Sequence, residues 1–255
     1  RTTRRVRLTQ DGQAYYERCR DLLSDVEELQ SLFRRDEARL TGRLRVDMPA
    51  SSARQAIIPR LPEFLAQHPG LEMELSSTDR RVDVVREGFD CVLRAGTLDE
   101  SSLVARPLGA LRQISCASPA YLARHGEPQT LADLASHRLV HYASMPGQRG
   151  GGFEWQDEAG VLHIEPMAGA LTVSDAGAYT AACLAGLGIV QVPRHGGEAE
   201  INAGHLRGIL PQWQAPPMPV HWLYPHRRQL PRRVQLFMQW VAELLAPRLL
   251  PWSTN

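Results

Sequence analysis

The sequence contains no lysine; all 29 basic residues are arginine. That removes Schiff-base chemistry and lysine as a catalytic base. Cysteine is scarce. Cys19, Cys91, Cys116 and Cys183 lie far apart with no CxxC pair. This excludes a disulfide scaffold and a zinc ribbon, and it fits a reducing cytoplasm. An excess of one charge is also missing. The 29 basic residues meet 28 acidic ones, net +1, so no global field draws the chain to nucleic acid or membrane. No apolar stretch follows the basic start at Arg1 to Arg7, so no signal peptide is expected. The most apolar run, Ala176 to Pro193, is broken by Gly177, Thr180, Gly186, Gly188 and Gln191. It reads as a buried helix and strand, not a membrane span.

What is present is globular. The 255 residues are 43% apolar and 22% charged, enough for one large or two ordinary domains. The first nine residues are short, β-branched and basic, and cannot fold alone. They read as the end of a preceding unit. Thr9 is a plausible helix N-cap. From Gln10 to about Arg39 there is no proline, and apolar residues fall at Tyr15, Cys19, Leu22, Val26, Leu29 and Phe33. Those gaps alternate between three and four, and charged residues such as Glu17, Arg18, Glu27 and Arg34 fill the other faces. A narrow stripe of this period is a dimerising helix seam, with packing on its own domain as the rival reading.

After Thr41-Gly42 the character changes. Gly42 to Met48, Leu71 to Ser77 and Asp90 to Gly96 read as strands. Ile57 to Gln67 and Arg81 to Glu87 read as the helices between them. The second half is expected to repeat the style. Strands fall at Ile114 to Ala117, Leu139 to Tyr142, Leu171 to Val173, Ile189 to Val192 and Pro219 to Pro225. Ser118 caps a helix over Pro119 to His125, Thr130 one over Leu131 to Ser136, and Ser174 one over Ala176 to Ala185. FEWQD and VLHIE flank Glu158-Ala159-Gly160 as a hairpin, Ser144 to Gly152 is a Gly-rich loop, and Arg232 to Leu245 is an amphipathic helix. This alternation implies βαβ units and a mostly parallel sheet.

No catalytic constellation emerges. There is no G-x-S-x-G elbow. His137 and His141 are four apart, but that spacing serves a metal only on a helix, and His137 reads as a surface loop residue. Gly186-x-Gly188 follows a helix, so it is a C-cap and not a dinucleotide fingerprint; Gly147 to Gly152 lacks the residues of a P-loop. No metal, cofactor or enzymatic activity is expected. What remains is small polar groups at strand ends: Ser51-Ser52, Ser77-Thr78-Asp79, Arg94 to Thr97 and Ser174-Asp175. Ligands of open α/β sheets bind at such ends, near free helix N–H groups. Each serine alone is more simply a cap; together they mark a shared pocket. Arg94 could pair a carboxylate. Asp175 works against an anion unless an arginine compensates, so an amine or hydroxyl ligand is equally open.

The opening RTTRRVRLTQDGQAYYERCRDLLSDVEEL resembles the join between winged helix-turn-helix domain and linker helix in LysR-type transcriptional regulators. GRLRVDMPA, FLAQHPGLEMEL, REGFDCVLRAG, CASPAYLARHGEPQTLADLASHRLVHY, AACLAGLGIVQVP and FMQWVAELL are similar to that family's effector domain, in order and spacing over nearly the whole chain. The resemblance implies an α/β, periplasmic-binding-protein-like (type 2) effector domain of two subdomains, preceded by a long dimerisation helix. Residues 1–9 would be the tail of the wing, 10–41 the linker helix, 42–112 with 219–250 subdomain I, and 113–218 subdomain II. Crossovers are expected near Ala110 to Ile114 and Pro216 to Val220. Arg4 and Arg5 would lie near DNA. With the helix-turn-helix absent from this sequence, sequence-specific DNA binding would belong to the intact protein. The implied partners are DNA, a small-molecule effector and a homodimer or homotetramer, in the cytoplasm and without a membrane. The implied effector contacts are Ser51, Ser52, Thr78, Arg94, Gly96, Tyr142, Ser174 and Asp175. Asp47 and Met48 stand where the family often has smaller groups. The rival readings are a stand-alone solute-binding protein and, behind it, an enzyme.

Overall fold

The computed structural model describes residues 40–98, 102–143, 151–225 and 230–252, together with 9, 12, 15, 16, 19, 22, 23 and 26. Of the expected linker helix, Gly12, Tyr15, Tyr16, Cys19, Leu22, Leu23 and Val26 are helical, and the Thr9 hydroxyl accepts the Gly12 N–H at 3.0 Å, a capping contact. Tyr15, Leu22 and Val26 are exposed and Cys19 is partly buried. Leu29, Phe33, Arg4 and Arg5 lie outside the described residues, as does most of the expected Gly-rich loop.

The larger lobe is a six-stranded sheet in the order β13-β4-β12-β3-β1-β2. Its strands are β1 (Thr41–Met48), β2 (Gly70–Ser77), β3 (Cys91–Ala95), β4 (Val104–Leu111), β12 (Met218–Tyr224) and β13 (Leu249–Leu250). β1 pairs in parallel with β2 and β3, but every pairing beyond β3 is antiparallel. The expectation of a mostly parallel sheet is therefore corrected. The strands that arrive late in the chain come back against the direction of the first three. β4 has no counterpart in the sequence reading, because Pro107 and Gly109 mimic breakers. Gly109 sits at φ +149°, and a Cβ there would lie 2.6 Å from the Leu250 carbonyl, so glycine is what lets β13 pair with β4.

β1 leads into helix α1 (Ala50–Ser52), a π-helical turn (Ala53–Ile57) and a 3-10 turn (Ile58–Arg60), then helix α2 (Leu61–Gln67). The helix expected from Ile57 thus begins at Ala50. Its change of winding coincides with Pro59 and Pro62, which cannot donate to a helical ladder. Helix α3 (Val84–Glu87) is capped by Asp83, which accepts the Arg86 N–H at 3.0 Å. The long helix α7 (Arg232–Leu245) buries Val234, Phe237, Met238, Val241 and Leu245, the apolar stripe of its sequence. Phe237 meets Phe64 edge-on at 5.6 Å and Trp222 at 6.2 Å, centring one continuous core with Leu44, Val46 and Met48.

The smaller lobe is built on an antiparallel three-stranded sheet, β10-β5-β11, from β5 (Gln113–Ala117), β10 (Val190–Pro193) and β11 (Arg207–Ile209). Two strand pairs accompany it. β6 (His141–Tyr142) runs parallel with β9 (Thr172–Val173), and β7 (Phe153–Gln156) forms the expected hairpin with β8 (Leu162–Glu165). Helices α4 (Pro119–His125), α5 (Ala176–Leu184) and α6 (Arg194–Asn202) pack around it, and Leu131–Ser136 is a 3-10 helix with a capping box at Thr130. α6 went unread because Gly196-Gly197 looks like a loop. A Cβ on Gly197 would sit 2.7 Å from Ile114 Cδ1, so the helix lies close on β5. Gly186 (φ +76°) ends α5, with its N–H on the Cys183 carbonyl, the C-cap expected of it. Two corrections concern this lobe. The residue that caps α5 is Asp175, not Ser174. His137 is no surface residue: it is buried, with Nδ1 3.2 Å from the Tyr121 hydroxyl.

The chain passes from the larger sheet to the smaller between Leu111 and Gln113, and returns between Ile209 and Met218.

Candidate functional site

The two lobes face one another where β1, β2 and β3 end and α5 begins. At the end of β1 the backbone turns into α1, which carries Ser51 and Ser52, both half-buried. At the end of β2 the turn Ser77-Thr78-Asp79-Arg80 is tied back by the Thr78 N–H to the Met48 carbonyl at 3.1 Å. The Thr78 hydroxyl accepts the Arg80 N–H at 3.2 Å. At the end of β3, Arg94 reaches over this turn. Its Nη2 donates to Asp47 Oδ2 at 2.5 Å and to the Arg80 carbonyl at 2.9 Å, and its Nη1 to the Leu93 carbonyl at 3.0 Å. Gly96 lies at φ +103° with open space where a Cβ would be, its N–H held by the Pro219 carbonyl at 2.8 Å.

Asp47 is fully buried, and its Oδ1 has no hydrogen-bond partner among the described residues. Burial pushes its carboxyl up from the usual range, against the pull of Ser76 and Arg94. The guanidinium that could meet a ligand's carboxylate is therefore already paired with a carboxylate of the chain.

The smaller lobe presents Tyr142, Ser174 and Asp175. The Tyr142 hydroxyl donates to the Ser174 carbonyl at 3.4 Å, and its ring packs edge-on against Tyr179 at 5.6 Å. Its phenol is pushed up to about 12 by burial first, then by Asp79 and Asp175 beside it, with Arg94 pulling the other way. The ring thus lies among groups of both lobes. Asp175 Oδ1 accepts the Ala178 N–H at 2.7 Å and caps α5. Ser174 and Asp175 are exposed.

The structure brings Thr78, Arg94, Tyr142, Ser174 and Asp175 to one meeting edge. Ser52 looks elsewhere as well. With Pro49, Leu93 and Ala95 it lines a small cavity to which His195 contributes from the other lobe. The residue that the sequence reading left out of its contact set is Asp79. Its Oδ1 accepts the Ala50 N–H at 3.3 Å and its Oδ2 the Ala176 N–H at 2.6 Å. Arg54 was also missed; a Cβ on Gly177 would stand 3.4 Å from its Nη2. Both come from turns whose partners are about a hundred residues away, so no local pattern marks them. Among the described residues no group of His, Cys, Asp and Glu could hold a metal ion. Nor is any described helix long and apolar enough to cross a membrane.

Residues 37–246 match the LysR substrate binding domain. The chain is 48% identical over 245 residues to the HTH-type transcriptional regulator YhjC of Escherichia coli, spanning 96% of this chain and 82% of that one. It is 38% identical over 247 residues to an HTH-type transcriptional repressor of Pseudomonas aeruginosa, spanning 96% and 77%. Among solved structures it is similar to CrgA, a LysR-type transcriptional regulator from Neisseria meningitidis, with TM-score 0.69 and 27% identity over 95% of this chain and 82% of that one.

Proposed function

This chain belongs to the LysR family of transcriptional regulators, and from that premise we propose that it is the linker and effector-binding part of a cytoplasmic, DNA-binding regulator. Its relatives are regulators and not enzymes. The two lobes, 42–112 with 219–250 and 113–218, take a small metabolite between them. Ser51, Ser52, Thr78, Arg94 and Gly96 contact it from one side, Tyr142, Ser174 and Asp175 from the other. The helix carrying Tyr15, Cys19, Leu22, Val26, Leu29 and Phe33 pairs two copies, as a homodimer or within a homotetramer. Arg4 and Arg5 lie against DNA in the intact protein. The observation that carries this reading is the convergence of polar groups from both lobes on one edge, in a chain of this family. A ligand that prefers one arrangement of the lobes shifts its population and so the spacing of the DNA-reading heads, a coupling of ~1–3 kcal/mol in such systems.

The test has two arms. The intact protein binds its operator in a sequence-dependent way, with a log affinity that falls linearly with log[salt]; sequence-independent binding overturns the DNA arm. A thermal-shift screen of small metabolites against this chain yields a hit that is lost on Ser51→Ala with Tyr142→Phe. A hit unaffected by both places the ligand outside the cleft.

A further inference from the structure

Asp79 joins the two lobes with one side chain. It sits in the turn after β2, in the larger lobe, yet one of its oxygens accepts the N–H of Ala176, 97 positions later and the first residue of α5 in the smaller lobe. At 2.6 Å that contact is short even for a carboxylate accepting from an amide. The other oxygen accepts the N–H of Ala50, at the start of α1 in its own lobe. Each of these amides is a first-turn helix donor with no acceptor of its own helix to serve it. Asp175, the cap of α5, does not compete, because its Oδ1 is engaged by the Ala178 N–H two residues further in.

The turn that presents Asp79 is braced on both sides. The Thr78 N–H holds it to β1, and Arg94 donates to the Arg80 carbonyl just after it while being anchored by Asp47. A half-buried carboxylate is thus held in one place by groups that belong wholly to the larger lobe. Its far oxygen reaches across the divide.

We propose that Asp79 is a built-in latch, a carboxylate of the chain that ties the two lobes to one another. A metabolite entering the cleft either keeps this bond and fits around it, or supplies its own acceptor and takes the place of Asp79 on the Ala176 N–H. An effector bearing a carboxylate competes with the latch; one bearing only donors works with it. This deepens the effector-cleft reading and rests on it for its regulatory meaning. The latch itself is tested without effector or DNA, so its failure is separable from the failure of that reading.

The experiment is amide hydrogen exchange on the 255-residue chain and its Asp79→Ala variant. Exchange at Ala176 and Ala50 is expected to accelerate at least ~10-fold in the variant, as befits loss of a hydrogen bond to a charged group. Leu44 and Val46 of β1 should keep their protection. Sodium formate, which can sit where the missing carboxylate was, restores protection at Ala176 in the variant and leaves the parent chain unchanged; formamide at the same concentration restores nothing. Unchanged exchange at Ala176, or equal acceleration in β1, overturns the latch, as does an equal response of both proteins to formate. Should Asp79→Ala fail to fold, Asp79→Asn carries the same test: its single acceptor oxygen can serve only one of the two amides, so exchange accelerates at the other, and full protection at both overturns the proposal.

Discussion

The two lobes solve the same problem by different means. The larger buries one dominant apolar core between its sheet and α7, with Phe64 and Trp222 both packed on Phe237 and Leu44 in the same cluster, and keeps only a small satellite of Val84, Phe89 and Val92 apart from it. The smaller divides its interior into two clusters, one around Tyr121 and Phe153, the other around Cys116, Tyr179 and Cys183. Its short strands are tied by side chains. Gln191 accepts the Glu154 N–H at 2.8 Å, donates to the Glu154 carbonyl at 2.7 Å and to the Ser115 hydroxyl at 3.2 Å. The Tyr179 hydroxyl takes the Gln191 N–H at 3.1 Å, and the Tyr121 hydroxyl takes the Arg138 N–H at 2.8 Å. One lobe is held by area, the other by satisfied polar knots.

That contrast can be broken first at Phe237. Phe237→Ala should cost ~3–5 kcal/mol, as expected for emptying a packed aromatic site. Urea unfolding should shift as a single transition. A smaller-lobe transition left in place would mean that the lobes unfold independently.

The polar lobe should respond to a change that keeps volume but deletes hydrogen bonds. Gln191→Leu strands the Glu154 N–H and carbonyl and should cost ~1–3 kcal/mol. Exchange in β7 and β8 should quicken before that in β10. No loss of stability would show that packing, not the knot, holds the hairpin.

The smallest effect is expected from pH, and both lobes share it. Burial lowers the affinity for protons of His137 in the smaller lobe, helped by His125; of His195 between the lobes, helped by Arg248; and of His221 in the larger lobe. The unfolded chain therefore takes up protons below the ordinary histidine value of 6.5, while the folded chain resists. Stability from this source is full above pH 6.5 and is lost as pH falls toward the lowered values. Tm measured from pH 8 to pH 5.5 should be flat and then decline. A rise on acidification would reverse the assignment.

The sequence made some of this legible and hid the rest for physical reasons. The stripe of α7, the β7–β8 hairpin and the Ser118 cap of α4 are local patterns, and all are where the residues indicate. β4 and α6 were missed because Pro107, Gly109 and Gly196-Gly197 carry loop signals that close packing overrides. The direction of the late strands could not be read from alternation alone. In the cleft, strand-end serines and Arg94 stood out as polar groups at the right kind of edge. Asp79 counted as one more turn residue, since its partner lies 97 positions away. Neither is the pairing of Arg94 with Asp47 visible in the sequence, because it needs β1 and β3 side by side.

The place of β12 has a consequence for how the chain comes off the ribosome. This strand lies between β3 and β4, yet it is made more than a hundred residues after them. Until it emerges, β3 and β4 are separated by a vacant lane, each with an unsatisfied row of backbone donors and acceptors. The whole of the smaller lobe is synthesised during that wait. Nascent chains stopped before Met218 should therefore be sticky, edge-exposed species that depend on chaperones. The last few dozen residues act less as a tail than as the closing stitch of a seam opened at the start.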